Sequence, residues 1–109
     1  LGMLQKGMTS VTAASKTTYT AVAGDQIVVD TVANPVTITL PSSPAVGDEV
    51  TIMDGSASNG FATNNVTVGR GGSKIEGATS DDTLATNNQC VTLVFANAAK
   101  GWLYKSTNQ

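Results

Sequence analysis

The stretch from residue 24 to residue 54 most constrains the fold, because it holds three short runs rich in β-branched residues. The middle run, residues 36–40, alternates strictly, with apolar side chains at every second position and threonines between them. A period of two is typical of a strand with one buried and one wet face. Pro35 and Pro41 bracket this run, and proline is found where strands begin or end. The stretch therefore predicts strands.

The remaining segments extend this pattern along the chain. Short runs rich in valine, threonine and aromatic residues alternate with Gly, Pro, Asn, Asp and Ser turns, and no segment has a convincing helical period. We predict an all-β protein, a small antiparallel β-sandwich or jelly-roll-like domain of about ten short strands. Residues 1–16 are expected to form an N-terminal arm or linker with a first short strand, and residues 17–109 the sandwich domain.

One local pairing is also predicted from the spacing of the runs. Residues 26–31 and 36–40 are close enough in sequence to form a hairpin through residues 32–35. The segments 24–28 and 47–51 resemble each other, as do 62–65 and 85–88. A solenoid would require stricter periodicity, so these similarities favour reuse of the same turn chemistry over a repeat architecture.

Charge is scarce in this chain. Charged residues make up 13% of it, against about 25% in typical soluble domains. Either the protein has an ordinary hydroxyl- and amide-rich surface, or much of the surface is buried against partner chains. A net charge of −2 with scattered basic residues argues against nucleic-acid binding. No apolar run is long enough to suggest membrane insertion.

Residue usage also argues against catalysis and against cofactors. The chain has no histidine and one cysteine, Cys90, so it lacks the commonest general base and a cysteine cluster for a metal. Cys90 is predicted to be a small buried hydrophobe. Asp25 and Asp48 each follow glycine, where aspartate caps backbone amides. A polysaccharide hydrolase, needing two carboxylates across a cleft, is a remote alternative, with candidates among Glu76 and residues 81–82.

Two sets of side chains are candidates for contacts with other molecules. An apolar N-terminal arm, with Leu1, Leu4 and Met8, either docks on a neighbouring chain or forms a disordered terminus. Trp102 and Tyr104, on one face of the last strand, could stack on a glycan, although Trp102 could equally cap the core. The candidate glycan contacts are Trp102, Tyr104 and Arg70, together with the loops at residues 55–60 and 69–73.

Two segments carry a resemblance to a known family. The first is VTITLP at residues 36–41, followed by Gly47-Asp48, and the second is ATNNVTVGR at residues 62–70, followed by SKIEG at residues 73–77. The chain resembles a β-rich module of tailed-bacteriophage virion proteins, of the tail fibre, tail appendage or capsid decoration type. The resemblance spans residues 17–104.

This resemblance implies a non-enzymatic structural protein located in the virion. Its partners would be sister chains, in a homotrimer, and other virion proteins. A receptor-binding module that recognises a host-surface glycan is the alternative.

Overall fold

The computed structural model describes the backbone of residues 7–108 and the side chains of residues 7–106. This part of the chain forms nine strands and contains no helix, which confirms the all-β prediction. The strands are β1 (Thr9–Thr12), β2 (Thr18–Thr20), β3 (Gln26–Asp30), β4 (Val36–Thr39), β5 (Glu49–Asp54), β6 (Val66–Gly69), β7 (Asp82–Leu84), β8 (Cys90–Asn97) and β9 (Gly101–Asn108).

The strands form two mixed sheets. The five-stranded sheet has the order β1-β3-β5-β8-β9, and the four-stranded sheet has the order β2-β4-β6-β7. The first six strands alternate between the sheets along the chain, and within each sheet they pair in parallel. The chain thus winds like a short β-solenoid with one strand of each coil in each sheet. The expected antiparallel pairing occurs only where β7, β8 and β9 join.

The predicted hairpin between the first two runs of the central stretch is wrong. β3 and β4 lie in different sheets, and the intervening turn carries the chain from one sheet to the other. The first backbone N–H of β4, at Val36, donates a hydrogen bond to the carbonyl of Asn65, at 3.2 Å. Both β3 and β4 have partners on each side, so neither is left as an edge strand.

One hydrophobic core receives side chains from both sheets. Val36 stacks on Val66 in the four-stranded sheet, as Ile27 stacks on Ile52 in the five-stranded one. These ladders of matched β-branched residues bury the positions that alternate in the sequence. Cys90 is half-buried and free, because its neighbour on β8 takes the core-facing position. Cys90, predicted to be a small buried hydrophobe, is therefore only partly buried.

The alternation of strands between the two sheets could not be predicted from the sequence because successive coils differ in length. Thr9 pairs with Ile27 and Ile27 with Ile52, so the stacked positions do not recur at a fixed interval. The similar segments 62–65 and 85–88 lead into strands of different sheets. Residues 74–76 pair with their neighbours only through isolated bridges of Ile75.

Candidate functional site

Asp54, at the end of β5, organises the loops beside it. Its Oδ1 accepts a hydrogen bond from the backbone N–H of Ser56 at 2.9 Å. Its Oδ2 accepts hydrogen bonds from the backbone N–H groups of Phe61, at 3.1 Å, and Asn88, at 3.0 Å. Burial by itself would raise the pKa of Asp54, but these N–H donors together outweigh it and lower the pKa below its usual value. One carboxylate therefore ties two loops to the end of the sheet.

A polar pocket of about 140 Å³ lies beside this carboxylate, lined by side chains and backbone of residues 56–60, Asn87 and Asn88. Asn59 and Asn88 adopt left-handed backbone conformations, with φ of 48° and 63°, which asparagine tolerates better than most residues. The side-chain Oδ1 of Asn87 accepts a hydrogen bond from the backbone N–H of Ala62 at 3.0 Å. These asparagines stabilise turns, as the sequence predicts for them.

We expect Asp54→Asn to lower the free energy of unfolding at neutral pH by about 2 kcal/mol, because hydrogen bonds to an ionised acceptor contribute about 1.5–3 kcal/mol. The folded-state pKa of Asp54 lies below the unfolded one. Its carboxylate therefore stabilises the fold above the unfolded pKa, and this contribution is lost as the pH falls through the folded pKa. Urea unfolding at neutral pH and at about pH 2 should show the difference between wild type and variant shrinking in acid.

The matched control is Asp30→Asn, since Asp30 accepts one exposed hydrogen bond, from the backbone N–H of Val32 at 2.9 Å. Asp30→Asn should lower the free energy of unfolding at neutral pH by less than Asp54→Asn does. If the Asp54 variant differed from wild type by the same amount at both pH values, the acid-linked role of its carboxylate would be disproved.

Another pocket, of about 360 Å³, is lined by β7 from one sheet and by residues of β8 and β9 from the other. The hydroxyl of Tyr104 donates a hydrogen bond to Oδ2 of Asp82 across this pocket. Burial raises the pKa of Tyr104, and the carboxylates of Asp82 and Glu76 raise it further. The phenol is therefore held protonated as a donor, and Tyr104 is the candidate glycan contact that lines a pocket.

The other two candidate glycan residues have structural contacts. Trp102 is 0% exposed, and its ring meets that of Phe95 edge to face with centroids 5.6 Å apart. A ligand in solvent cannot stack on a ring in this position, so Trp102 caps the core. The guanidinium of Arg70 donates to the carbonyl of Ser73 at 2.9 Å and has its Nε 4.0 Å from Oδ1 of Asp81. The three candidates do not converge on one site.

Three carboxylates considered for hydrolysis, those of Glu76, Asp81 and Asp82, line a pocket of about 200 Å³. Glu76 accepts a hydrogen bond from the backbone N–H of Tyr104 at 2.9 Å, and Asp81 accepts one from that of Arg70 at 3.0 Å. Asp82 accepts the Tyr104 hydroxyl described above. These contacts hold the loop before β7 against its neighbours. Among the side chains described, no group of three or more carboxylate or thiol residues could hold a metal ion.

Three exposed apolar side chains precede neighbouring strands of the five-stranded sheet. Met8, Val22 and Val46 are 58%, 53% and 75% exposed. They lie shortly before β1, β3 and β5, which are parallel neighbours, so the three residues share one end of the sheet. We call Met8, Val22 and Val46 the apolar corner. Leu1 and Leu4, the other candidate residues of the arm, lie outside the described residues.

Comparison of the sequence with known protein families and with curated proteins found no match. No helix within the described residues is long and apolar enough to cross a membrane.

Sequence reasoning found two capping aspartates and missed a third. Oδ2 of Asp25 accepts the backbone N–H of Val22 at 2.9 Å, and Oδ2 of Asp48 accepts that of Ala45 at 2.8 Å, which confirms their predicted role. Asp54 was missed because one of its donors, Asn88, lies 34 positions along the chain. The available signal was local: Asp54 ends an apolar run and precedes Gly-Ser, a pattern that favours a turn.

Proposed function

We propose that this chain is a structural component of a bacteriophage virion, in a fibre, tail appendage or capsid decoration, and that it acts through protein–protein interfaces. The observation that carries the proposal is the apolar corner, which exposes three large apolar side chains in a protein with 13% charged residues. Grouped exposed apolar side chains are typical of contact surfaces. The virion assignment rests on the resemblance of residues 36–48 and 62–77 to phage modules.

The proposed partners are sister chains, in a homotrimer, and other virion proteins. We also interpret the two sheets as a sandwich, because both contribute to one core. Jelly rolls are built from antiparallel strands, so the parallel pairs at the start of the chain argue against a jelly roll and against a purely antiparallel sandwich. A protein of this kind works by burying surface and requires no catalytic step.

We expect deletion of residues 1–8 to leave the fold intact and to weaken association with sister chains. Leu4 and Met8 could each contribute about 1.5–3 kcal/mol through apolar burial. Size-exclusion chromatography with light scattering should show a lower oligomer mass for the truncated chain, while circular dichroism stays unchanged. Immunogold labelling of particles of the phage that encodes this chain should place the full chain on the particle surface.

The triple variant Met8→Ser, Val22→Ser and Val46→Ser tests the apolar corner without shortening the chain, and it should also lower the oligomer mass. Val32→Ser is the matched control, because Val32 is 37% exposed but follows β3, away from this corner. Unchanged mass in the deletion and triple variants, with no gold on the particles, would refute the proposal.

Recognition of a host-surface glycan is the second candidate function. It is favoured by the pocket of about 360 Å³ at Tyr104, which combines Asp82, Thr86 and Gln89 with apolar lining residues. Tyrosine offers a ring face for stacking together with a hydroxyl donor. A glycan array probed with the full chain and with Tyr104→Phe separates the two functions, because loss of a specific signal in a folded variant would favour recognition.

A further inference from the structure

A nearly buried glutamine lines the pocket between β7 and the strands β8 and β9. Gln89, directly before β8, is 6% exposed, and it contributes to this pocket of about 360 Å³. Its side-chain Oε1 accepts a hydrogen bond from the backbone N–H of Thr86 at 3.2 Å. Because an N–H group can only donate, this bond fixes which end of the side-chain amide is the oxygen. The Nε2 group must therefore occupy the other end.

The Nε2 group of Gln89 has an unused hydrogen-bonding capacity. Within the part of the chain that the structure describes, no hydrogen bond joins it to another residue. Among the same side chains, the indole Nε1 of Trp102 alone lacks a partner while sealed from solvent. The Nε2 group of Gln89 is therefore accessible, and the pocket is the space that this side chain lines. A polar group so nearly buried is expected to bind an acceptor there.

The strands around the pocket supply an acceptor and apolar surface. Oδ1 of Asp82 accepts the backbone N–H of Thr83 at 2.9 Å, and Oδ2 accepts the hydroxyl of Tyr104. A carboxylate offers about four acceptor positions, so Asp82 keeps capacity for hydrogen bonds from a bound molecule. Leu84 and Val91, both buried, add apolar lining. A donor, an acceptor and apolar surface thus meet in one pocket.

The charge at this pocket is negative. Asp82 lines it, and none of the residues that line it is basic. Asp82 also lines the neighbouring pocket, together with Glu76 and Asp81. Burial raises the pKa of Tyr104, and the carboxylates of Asp82 and Glu76 raise it further, so both carboxylates act on the same phenol. The guanidinium of Arg70 lies near Asp81 instead. An acidic ligand would bring a like charge to this place, which disfavours binding.

We propose that this pocket binds one uncharged sugar ring of a host-surface glycan and discriminates against acidic sugars. Each hydroxyl of a sugar can donate and accept, so one hydroxyl accepts from Nε2 of Gln89 while another donates to Asp82. A volume of about 360 Å³ lies at the small end of ligand pockets, which span about 300–1,000 Å³, and suits a single ring. This inference rests on glycan recognition, the second candidate function, and adds the class of sugar and Gln89 as a specificity-determining residue.

Three variants of the full chain test the two parts of the inference. Gln89→Glu keeps an oxygen for the N–H of Thr86 and replaces only the Nε2 donor. Gln26→Glu is its matched control, because it adds the same charge at an exposed residue of β3 outside the pocket. Asp82→Asn removes the negative charge and keeps one oxygen for the hydroxyl of Tyr104. Circular dichroism and thermal unfolding verify that each variant is folded.

The probes are the methyl glycosides of glucose, galactose and N-acetylglucosamine, and those of glucuronic and galacturonic acid. Nitrogen-15 NMR of the wild type needs no substitution and reports directly on the side-chain amide of Gln89. We expect its resonances to shift saturably with at least one uncharged glycoside, and both acids to bind at least ten-fold more weakly. Gln89→Glu should weaken binding of the uncharged glycoside about ten-fold, as expected for one lost hydrogen bond.

The control Gln26→Glu should bind like the wild type, and Asp82→Asn should narrow the difference between uncharged and acidic glycosides. Equal binding of both classes, binding that leaves the Gln89 amide resonances unmoved, or binding of none of the five probes would overturn this inference. The glycan array separates this failure from that of glycan recognition. An array signal that depends on Tyr104 would leave recognition standing, whereas an array without any signal would overturn both. The virion proposal is tested independently by light scattering and immunogold labelling.

Discussion

Gly101→Ala is expected to lower the free energy of unfolding by more than about 4 kcal/mol, a cost that marks an exceptional site. Gly101 opens β9 with φ of 72°, in the left-handed region. A Cβ at this position would lie 1.9 Å from the carbonyl oxygen of Lys74 and 2.5 Å from its carbonyl carbon. Both are backbone atoms, so no side-chain rotation can relieve the overlap.

The segment around Lys74 cannot move aside without breaking hydrogen bonds. The carbonyl of Lys74 accepts the N–H of Trp102 at 2.8 Å, and the N–H of Glu76 donates to the carbonyl of Trp102 at 2.8 Å. The same segment bridges β9 through Ile75. Relief of the overlap would therefore detach this segment from the last strand, which explains the size of the expected effect.

Gly47→Ala is the matched control for this prediction. Gly47 also has a positive φ, 95°, but a Cβ there would have no atom within 4 Å. Gly47→Ala should lower the free energy of unfolding only by the strain of an alanine in the left-handed region, about 1–2 kcal/mol. Urea unfolding followed by circular dichroism measures both variants. Equal losses for the two glycines would show that close approach of the backbone at Gly101 is not the cause.

Trp102→Ala is expected to lower the free energy of unfolding by about 3–5 kcal/mol, the range for large-to-small changes at buried aromatic residues. Trp102 is among the largest fully buried side chains of the core. Its removal would leave a cavity beside Phe95, whose ring meets the indole at an interplanar angle of 69°. Thermal unfolding of the two proteins at equal concentration gives the difference.

Trp102→Phe separates the packing of the ring from its polar group. The indole Nε1–H is buried and has no hydrogen-bond partner in the described part of the chain. Phenylalanine removes this donor along with part of the ring, so the lost apolar contact is offset by removal of an unsatisfied group. We expect a loss below about 2 kcal/mol. A loss as large as that of Trp102→Ala would mean that the indole N–H makes a stabilising hydrogen bond in solution.

Much of the local structure could be predicted because it depends on neighbouring residues. The alternating run at residues 36–40 becomes β4, and the runs before and after it become β3 and β5. The capping roles of Asp25 and Asp48 follow from their positions after glycine, since each binds an N–H three residues earlier. These features require only backbone preferences and short-range hydrogen bonds, which a sequence displays directly.

The candidate site could be predicted only in part. Aromatic residues near the C-terminus were the right place to look for a pocket, and Tyr104 lines one. Their alternation could not show that Trp102 lies inside the core while Asp82, on the other sheet, meets the Tyr104 hydroxyl. The hydrogen bonds to Asp54 could not be predicted for the same reason, because Asn88 reaches Asp54 from 34 positions along the chain.

By itself, the sequence determined that the chain is built of strands, where most of them lie and which side chains of the alternating run at residues 36–40 face the core. The tertiary structure decided which strands are neighbours, and hence that β3 crosses to the other sheet instead of turning back on itself. The physical reason is that a strand with one apolar face satisfies its alternation equally well beside any partner of the right register. The choice among partners depends on how all the strands together fill one core, and within residues 7–108 it places β1 and β2 at the edges of their sheets.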